Sequence, residues 1–248
     1  MKPNETLWNT PLGKGHNDLN GHNGHNGHNH SGKHEHQFYL GDNHIATSSE
    51  TPMRPDAFEI DDETKIELIE KKFEEIMHIL GLDLEDDSLS GTPRRVAKMY
   101  VQEIFSGLKP ENKPEMRLFE NSYGYNQMLV EKDITFYSNC EHHFVPIFGR
   151  AHVAYISSGK VIGLSKLNRI VQYYARRPQV QERLTRQIAD ELRRALDTED
   201  VAVLMDAKHM CVCSRGVQDS ASTTITAEYS GKFNDPETRA EFLRYAGY

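Results

Sequence analysis

The order of periodic segments after about residue 60 is the feature that most limits what this chain can fold into. Two segments with helical spacing come first, at about residues 61–81 and 92–105. Two strand-like runs, two helical segments and two more strand-like runs follow them. The strand-like runs cover about residues 128–138, 147–157, 201–206 and 222–230. Strand pairs beside helix pairs predict an α+β domain with an antiparallel sheet.

Short local signals place the helix boundaries. Thr92 is expected to cap the second helix, with Pro93 at its first helical position. The third helix is expected to start at Ser165 and the fourth near Pro178. Residues 107–127 carry prolines and scattered glycine and asparagine, so they predict a long loop between the helical and sheet-forming parts.

The first 60 residues differ from the rest in composition. They contain a repeated His-Asn-Gly unit and few apolar residues, so they bury too little surface to offset the entropy of ordering. We expect a disordered tail over 1–60 and a folded domain over 61–248, with a helical part at 61–108 and a sheet-containing part at 128–248. The tail histidines suggest loose metal binding, and a polar tail without a role is the alternative.

Charge and hydropathy exclude several classes of protein. The net charge of −8 argues against a nucleic-acid-binding protein, although a local basic pocket for a small polyanion stays compatible with it. No apolar run approaches the roughly 20 residues that span a bilayer, and the N-terminus lacks a secretory signal. The three cysteines are too few for a disulfide scaffold. We therefore expect a cytoplasmic protein whose cysteines bind metal or take part in catalysis.

Two Cys/His clusters follow strand-like runs. One is Cys140-Glu141-His142-His143, and the other begins at His209, where the strand from 201–206 is expected to continue toward Cys211. Thiolate and imidazole are the ligands that zinc prefers. Cys140, His143 and one cysteine of the second cluster would make the three-ligand site typical of a catalytic zinc.

The count of ligands leaves two alternatives open. With three protein ligands, His142 and His209 are surplus imidazoles suited to proton transfer near neutral pH. If both Cys211 and Cys213 bound, the site would be a closed structural one with no position for water. A non-catalytic zinc-binding module with a metal-gathering tail is the function that this second alternative implies.

Basic residues cluster at helix starts and beside the second Cys/His cluster. Helix N-termini favour phosphate because their N–H groups are free. The candidates for binding an anion are Arg94, Arg95, Lys98, Lys166, Arg169 and Arg215, and Ser165 lies beside Lys166. Glu182, next to Gln181 at another helix start, either complements the helix dipole or accepts two N–H bonds from a guanine edge.

Taken together, these motifs resemble those of the GTP cyclohydrolase I family. The resemblance runs from about residue 62 to the C-terminus, and the repeat-containing tail and Cys213 depart from the family pattern. The motifs are Thr92 to Tyr100, Cys140 to Pro146, Val161 to Arg169, Gln179 to Leu184, His209 to Cys211 and Arg215-Gly216.

The resemblance implies a fold, an assembly and a reaction. The fold is the tunnelling fold, in which a four-stranded antiparallel sheet has two helices between strands two and three and follows N-terminal helices. The assembly is a toroidal homodecamer with active sites at subunit boundaries. The reaction converts GTP and water to formate and 7,8-dihydroneopterin triphosphate, with Zn²⁺ as the cofactor, at the start of folate and pterin biosynthesis.

Site roles also follow from the resemblance, position by position. Cys140, His143 and Cys211 match the zinc ligands, and His142 and His209 match the active-site histidines. Ser165 matches a residue near the ribose and reacting centre, and Glu182 with Gln181 matches the guanine-recognising position. The residues that match triphosphate contacts are Lys166, Arg169 and Arg215, joined by Arg95 and Lys98 from a neighbouring subunit.

Overall fold

A computed structural model describes residues 48–248. The disorder and loose metal binding expected of the His-Asn-Gly repeat concern residues outside this range. Residues 48–60 form no helix or strand, yet Ser48 and Glu50 hydrogen-bond to the helix that begins at Gln181. By these contacts they join the domain that the sequence predicted to begin at residue 61. Within the described residues, no helix is long and apolar enough to cross a membrane.

The described part of the chain contains seven α-helices and seven strands, besides short π- and 3₁₀-helical segments. The helices are α1 (Asp62–Ile79), α2 (Asp87–Ser90), α3 (Thr92–Lys98), α4 (Leu164–Ala175), α5 (Gln181–Leu196), α6 (Met210–Cys213) and α7 (Pro236–Ala246). The strands are β1 (Leu118–Glu120), β2 (Met128–Cys140), β3 (Pro146–Ile156), β4 (Lys160–Ile162), β5 (Pro178–Gln179), β6 (Val201–His209) and β7 (Thr224–Tyr229). The α+β class predicted from the sequence is confirmed.

The main sheet has the order β5-β2-β3-β6-β7. Its four longer strands pair antiparallel, and α4 and α5 lie between β3 and β6 in the chain, as predicted. Two additions were not predicted. β5 adds a two-residue parallel edge to β2. In a separate small sheet, β1, which lies within the predicted loop, pairs with β4, which follows β3 in the chain.

One face of the sheet carries the main core. α4 and α5 pack there because their apolar residues recur on one side, including the buried Ile170, Leu184 and Ile188. On the opposite face, Phe233 and Phe242 pack against the sheet in a smaller core. Phe242 belongs to α7, a helix that was not predicted.

Several predicted boundaries differ from the structure. Gly91, and not Thr92, occupies the N-cap position of α3. The helix ends at Lys98, and the chain continues as a π-helical segment over Met99–Ile104. The fourth predicted helix begins at Gln181, because Pro178 and Gln179 pair with β2. The strand expected to run toward Cys211 ends at His209, where the chain turns into α6.

Candidate active site

Register in the sheet gathers the two Cys/His clusters at one end. Asn139 pairs with Pro146, and Ile147 pairs with His209, so the end of β2 and the end of β6 flank the start of β3. The parallel pairing of Cys140 with Gln179 brings the start of α5 to the same end. The turn after β2, the end of β6 and the first turn of α5 therefore meet.

The turn after β2 is a tight loop closed by its own backbone. The Cys140 N–H donates to the Val145 carbonyl at 2.9 Å, and the Phe144 N–H donates to the Cys140 carbonyl at 2.8 Å. Phe144 has a φ of 54°, a left-handed conformation that is uncommon for a non-glycine residue. Its ring packs against Phe105 at 5.1 Å between centroids, which holds the residue there.

Cys140, His143 and Cys211 form a group that could hold a metal ion. One ligand atom from each lies within 4.8 Å of the other two, and Cys140 Sγ is 3.8 Å from His143 Nδ1. Burial, and next the adjacent Cys140, raise the pKa of the Cys211 thiol. A divalent cation would relieve the repulsion between two neighbouring thiolates. Two sulfur ligands and one imidazole suit zinc.

Cys213 is not part of this group within the described residues. Because Met210–Cys213 is helical, Cys211 and Cys213 are separated by about 200° around the axis, whereas an extended strand would align them. Three ligands leave a coordination position for water. The geometry therefore favours the catalytic alternative over the closed four-ligand site.

His142 and His209 lie beside the group without belonging to it. His142 Nδ1 is 3.7 Å from Cys140 Sγ, and the side chain is 41% exposed. His209 is half-buried, and burial lowers the pKa of its imidazole, an effect that the carboxylate of Glu182 partly offsets. The neutral form favoured by burial can accept a proton.

Gln181 contacts His209 with a buried amide. Its Nε2 donates to the carbonyls of Met205 and Thr224, at 3.1 and 2.8 Å, so its Oε1 faces His209 Nε2 at 2.7 Å. An amide oxygen only accepts, so Nε2 of His209 carries a hydrogen and Nδ1 of the neutral ring is unprotonated. The resemblance implied a guanine-recognising position here. In the structure, the Gln181 side chain is hydrogen-bonded to the His209 imidazole.

Glu182 is exposed in the first turn of α5 and makes no hydrogen bond or ion pair with any described residue. Its carboxylate is therefore available for an external donor, next to His209. The neighbouring Arg183 is buried and forms an ion pair with Glu141. This pair was missed, because helical spacing does not reveal which charged residues face inward.

Arg215 Nη1 lies 3.0 Å from His143 Nε2. A guanidinium has only donors, so this imidazole nitrogen accepts. A metal on Nε2 would occupy the same lone pair, and a metal on Nδ1 would leave Nε2 protonated and facing a donor. Metal binding by His143 and this contact therefore exclude each other, and a bound metal would free Arg215.

The start of α4 is far from the metal group of the same chain. Asn168 Nδ2 donates to Glu131 Oε1 at 2.9 Å, which places this turn beside the early part of β2. Glu131 precedes Cys140 by nine positions on that strand, which is irregular between Glu131 and Ile134, so the two are at most roughly 30 Å apart at about 3.3 Å per residue. The chain therefore does not bring Ser165, Lys166 and Arg169 to its own Cys140.

The basic residues of α3 divide into two kinds. Arg94 pairs with Glu63 and Glu70 of α1, which is a structural role. Arg95 and Lys98 are exposed, and neither hydrogen-bonds to a member of the metal group. Arg95 donates to the Ser88 carbonyl and the Thr92 hydroxyl, and the exposure of both side chains still lets them meet an anion or another copy of the chain.

Comparison with known proteins agrees with this geometry. The family model described as GTP cyclohydrolase I matches residues 69–247. The GTP cyclohydrolase 1 of Flavobacterium johnsoniae is 62% identical over 206 residues, covering 83% of this chain and 92% of that relative. Those of Enterobacter sp. strain 638 and Escherichia coli strain K12 are 54% identical over 201 residues, covering 81% of this chain and 90% of each relative. The chain therefore belongs to the GTP cyclohydrolase I family.

Proposed function

We propose that this chain hydrolyses GTP to formate and 7,8-dihydroneopterin triphosphate, the first step of folate and pterin biosynthesis. The observation that carries the proposal is the three-residue group of Cys140, His143 and Cys211 with two further histidines beside it. A closed structural site would need a fourth protein ligand, and no further described residue joins the group. The family and the relatives above support the choice of GTP.

Zinc is the metal that we propose for this group, held by Cys140, His143 and Cys211. When bound, it supplies Lewis-acid activation of a water molecule for attack on the purine ring. The two cysteines must be deprotonated to bind it, so loading releases protons.

Proton transfer falls to His142 and His209. Opening of the imidazole ring, release of formate and closure of the pterin ring each require protons to move. Gln181 holds the His209 ring with Nδ1 unprotonated, so this nitrogen acts as the base. The exposed Glu182 carboxylate accepts the N1–H and amino group of guanine, a donor pair that adenine lacks.

Triphosphate binding requires more than one copy of the chain. Ser165, Lys166 and Arg169 lie at the far end of the sheet from Cys140, so we propose that a neighbouring subunit supplies them. Arg95 and Lys98 join from another copy, and Arg215 comes from the chain that holds the metal. This arrangement supports a homo-oligomer, which we propose to be a decamer of tunnelling-fold subunits in the cytoplasm.

Incubation of the purified full-length protein with GTP tests the proposal. We expect one zinc per subunit by elemental analysis, release of formate and appearance of the pterin chromophore. ATP at the same concentration is the matched control. Zinc-loaded protein that produces neither formate nor a pterin would overturn the proposed function.

A further inference from the structure

Arg183, in the first turn of α5, has all three guanidinium nitrogens hydrogen-bonded inside the protein. The residue is only 5% exposed. Nη1 and Nη2 donate to the two carboxylate oxygens of Glu141, at 2.5 and 3.1 Å. Nε donates to the Ser48 carbonyl at 2.7 Å. This bidentate pairing fixes the orientation of the Glu141 carboxylate as well as its distance from Arg183, which a single charged contact does not.

Glu141, the acceptor, lies inside the turn that carries the metal group. It stands between Cys140 and His142, and its N–H donates to the Gln179 carbonyl at 3.0 Å. Its backbone is thus tied to β5 and its side chain to α5. Movement of Glu141 would move a metal-binding cysteine on one side and a proton-transfer histidine on the other.

We propose that Arg183 is a positioning residue that acts through Glu141 to hold the 140–143 turn in its metal-binding geometry. The inference rests on the proposed zinc site. Rigid support matters here because the His142 and His143 side chains are exposed and Phe144, directly after the turn, has a left-handed conformation. This Arg183–Glu141 clamp adds a side-chain restraint to the backbone hydrogen bonds and the Phe105–Phe144 packing that also hold the chain here.

The segment before α1 completes the clamp. The Ser48 carbonyl satisfies Nε of Arg183, and Glu50 accepts from Gln187 Nε2 at 2.8 Å one turn further along α5. Residues 48–50 therefore contact the same face of α5 that contacts the 140–143 turn. This gives the chain just before the first helix a part in supporting the site.

Zinc affinity, measured by competition with a chelator, tests the inference in the full-length protein. We expect Arg183→Ala to weaken zinc binding by about 10–100-fold, the usual effect of losing a residue that supports metal ligands. Arg183→Lys keeps the charge but loses the bidentate geometry, so it should fall between Arg183→Ala and the wild type. The matched control is Arg193→Ala, which removes an arginine of the same helix that pairs with Asp190 and Glu228.

A double variant separates positioning from stability. Glu141→Gln with Arg183→Met removes both charges while keeping volume, and such replacements often preserve stability. We expect its unfolding temperature to stay near that of the wild type while zinc binding stays weak. The cobalt-substituted forms of both Arg183 variants should show altered absorption bands, and that of Arg193→Ala should match the wild type.

Two failures are distinguishable. If the wild type binds no zinc, the proposed function fails and the inference with it. If the wild type binds one zinc and Arg183→Ala retains it as tightly as Arg193→Ala does, only the role of Arg183 is overturned. Recovery of zinc affinity in the double variant would also overturn it, because the clamp would then act through stability alone.

Discussion

Gln181 Oε1 lies 2.7 Å from His209 Nε2, and this contact determines which nitrogen of the imidazole carries a hydrogen. The amide cannot rotate to offer its NH₂ instead, because that group donates to two backbone carbonyls. The unprotonated nitrogen of His209 is thus fixed by a residue of another element. The prediction for Gln181 follows from this relationship.

Replacing Gln181 by leucine should lower kcat at least about 10-fold, because His209 loses its fixed tautomer and orientation. KM for GTP should change less, and zinc should stay bound. Thr185→Val is the control, since it removes buried hydrogen bonds in the same part of α5 without contacting His209. A large rise in KM with unchanged kcat would return Gln181 to guanine binding.

The two cysteines of α6 should behave differently. Cys211→Ser should lose zinc and activity, because it removes a sulfur ligand from the group. Cys213→Ser should keep both, since the helical turn directs Cys213 elsewhere. Elemental analysis and GTP turnover of the two variants provide the measurement, and zinc loss from Cys213→Ser would restore the four-ligand alternative.

His142 and His209 should be needed for turnover and not for metal binding. His142→Ala and His209→Ala should each reduce kcat by about 10²–10⁴-fold, the range for general acid–base groups. Each variant should still hold one zinc per subunit. If a purified variant contained no zinc, the histidine that it lacks would be a metal ligand.

Glu182 should determine the choice of base. In Glu182→Gln, the amide cannot accept both guanine donors as a carboxylate does, so GTP should bind more weakly and the preference over ATP should shrink. Arg186→Gln, an exposed substitution one turn along the helix, should leave binding unchanged. Equal preference for GTP in the Glu182 variant and the wild type would place guanine recognition elsewhere.

His152 should make stability depend on pH. Burial lowers the pKa of this imidazole despite the carboxylates of Asp133 and Asp206, and its Nδ1 accepts from the Asp133 N–H at 3.3 Å. The folded state therefore keeps the neutral form, while the unfolded chain takes up a proton near pH 6.5. This contribution is complete above about pH 6.5 and is lost as the pH falls toward the lower folded value.

His152→Asn retains an acceptor near the Nδ1 position and removes the titrating group. We expect its unfolding temperature to fall less than that of the wild type between about pH 7.5 and pH 5.5. The positive charges of Lys132 and Arg150 also lower the pKa of His152, and both residues are the same in the variant and the wild type. Parallel curves for the two proteins would show that His152 does not titrate in this range.

The sequence predicted the sheet well because alternating strands and amphipathic helices are local patterns. Cys140 and His143 followed from their spacing, but Cys211 and Cys213 were separated only by the resemblance. A strand running to Cys211 would point both cysteines the same way, but β6 ends at His209 and Cys211 and Cys213 lie in the helical turn that follows. Helix α7 was missed although Asp235 caps it, Pro236 begins it and Gly247 follows it.

The roles of Gln181 and Arg183 could not be predicted from the sequence. Both are polar residues in the first turn of a helix, where an exposed surface position is the usual outcome. Their burial depends on β5 pairing with β2 and on the packing of α5 against the sheet, which are contacts between distant parts of the chain. Partners of buried polar groups follow from tertiary structure, and periodicity does not identify them.

If neighbouring subunits share the site as proposed, the separation of α4's first turn from Cys140 has a genetic consequence. A chain that lacks Cys211 would still carry an intact Lys166, and a chain that lacks Lys166 would still carry an intact metal group. If the two chains assemble together, some subunit boundaries combine the intact metal group of one chain with the intact Lys166 of the other. Two alleles that are each null alone would then complement one another in a cell that expresses both, whereas two alleles damaged at the same end of the sheet would not.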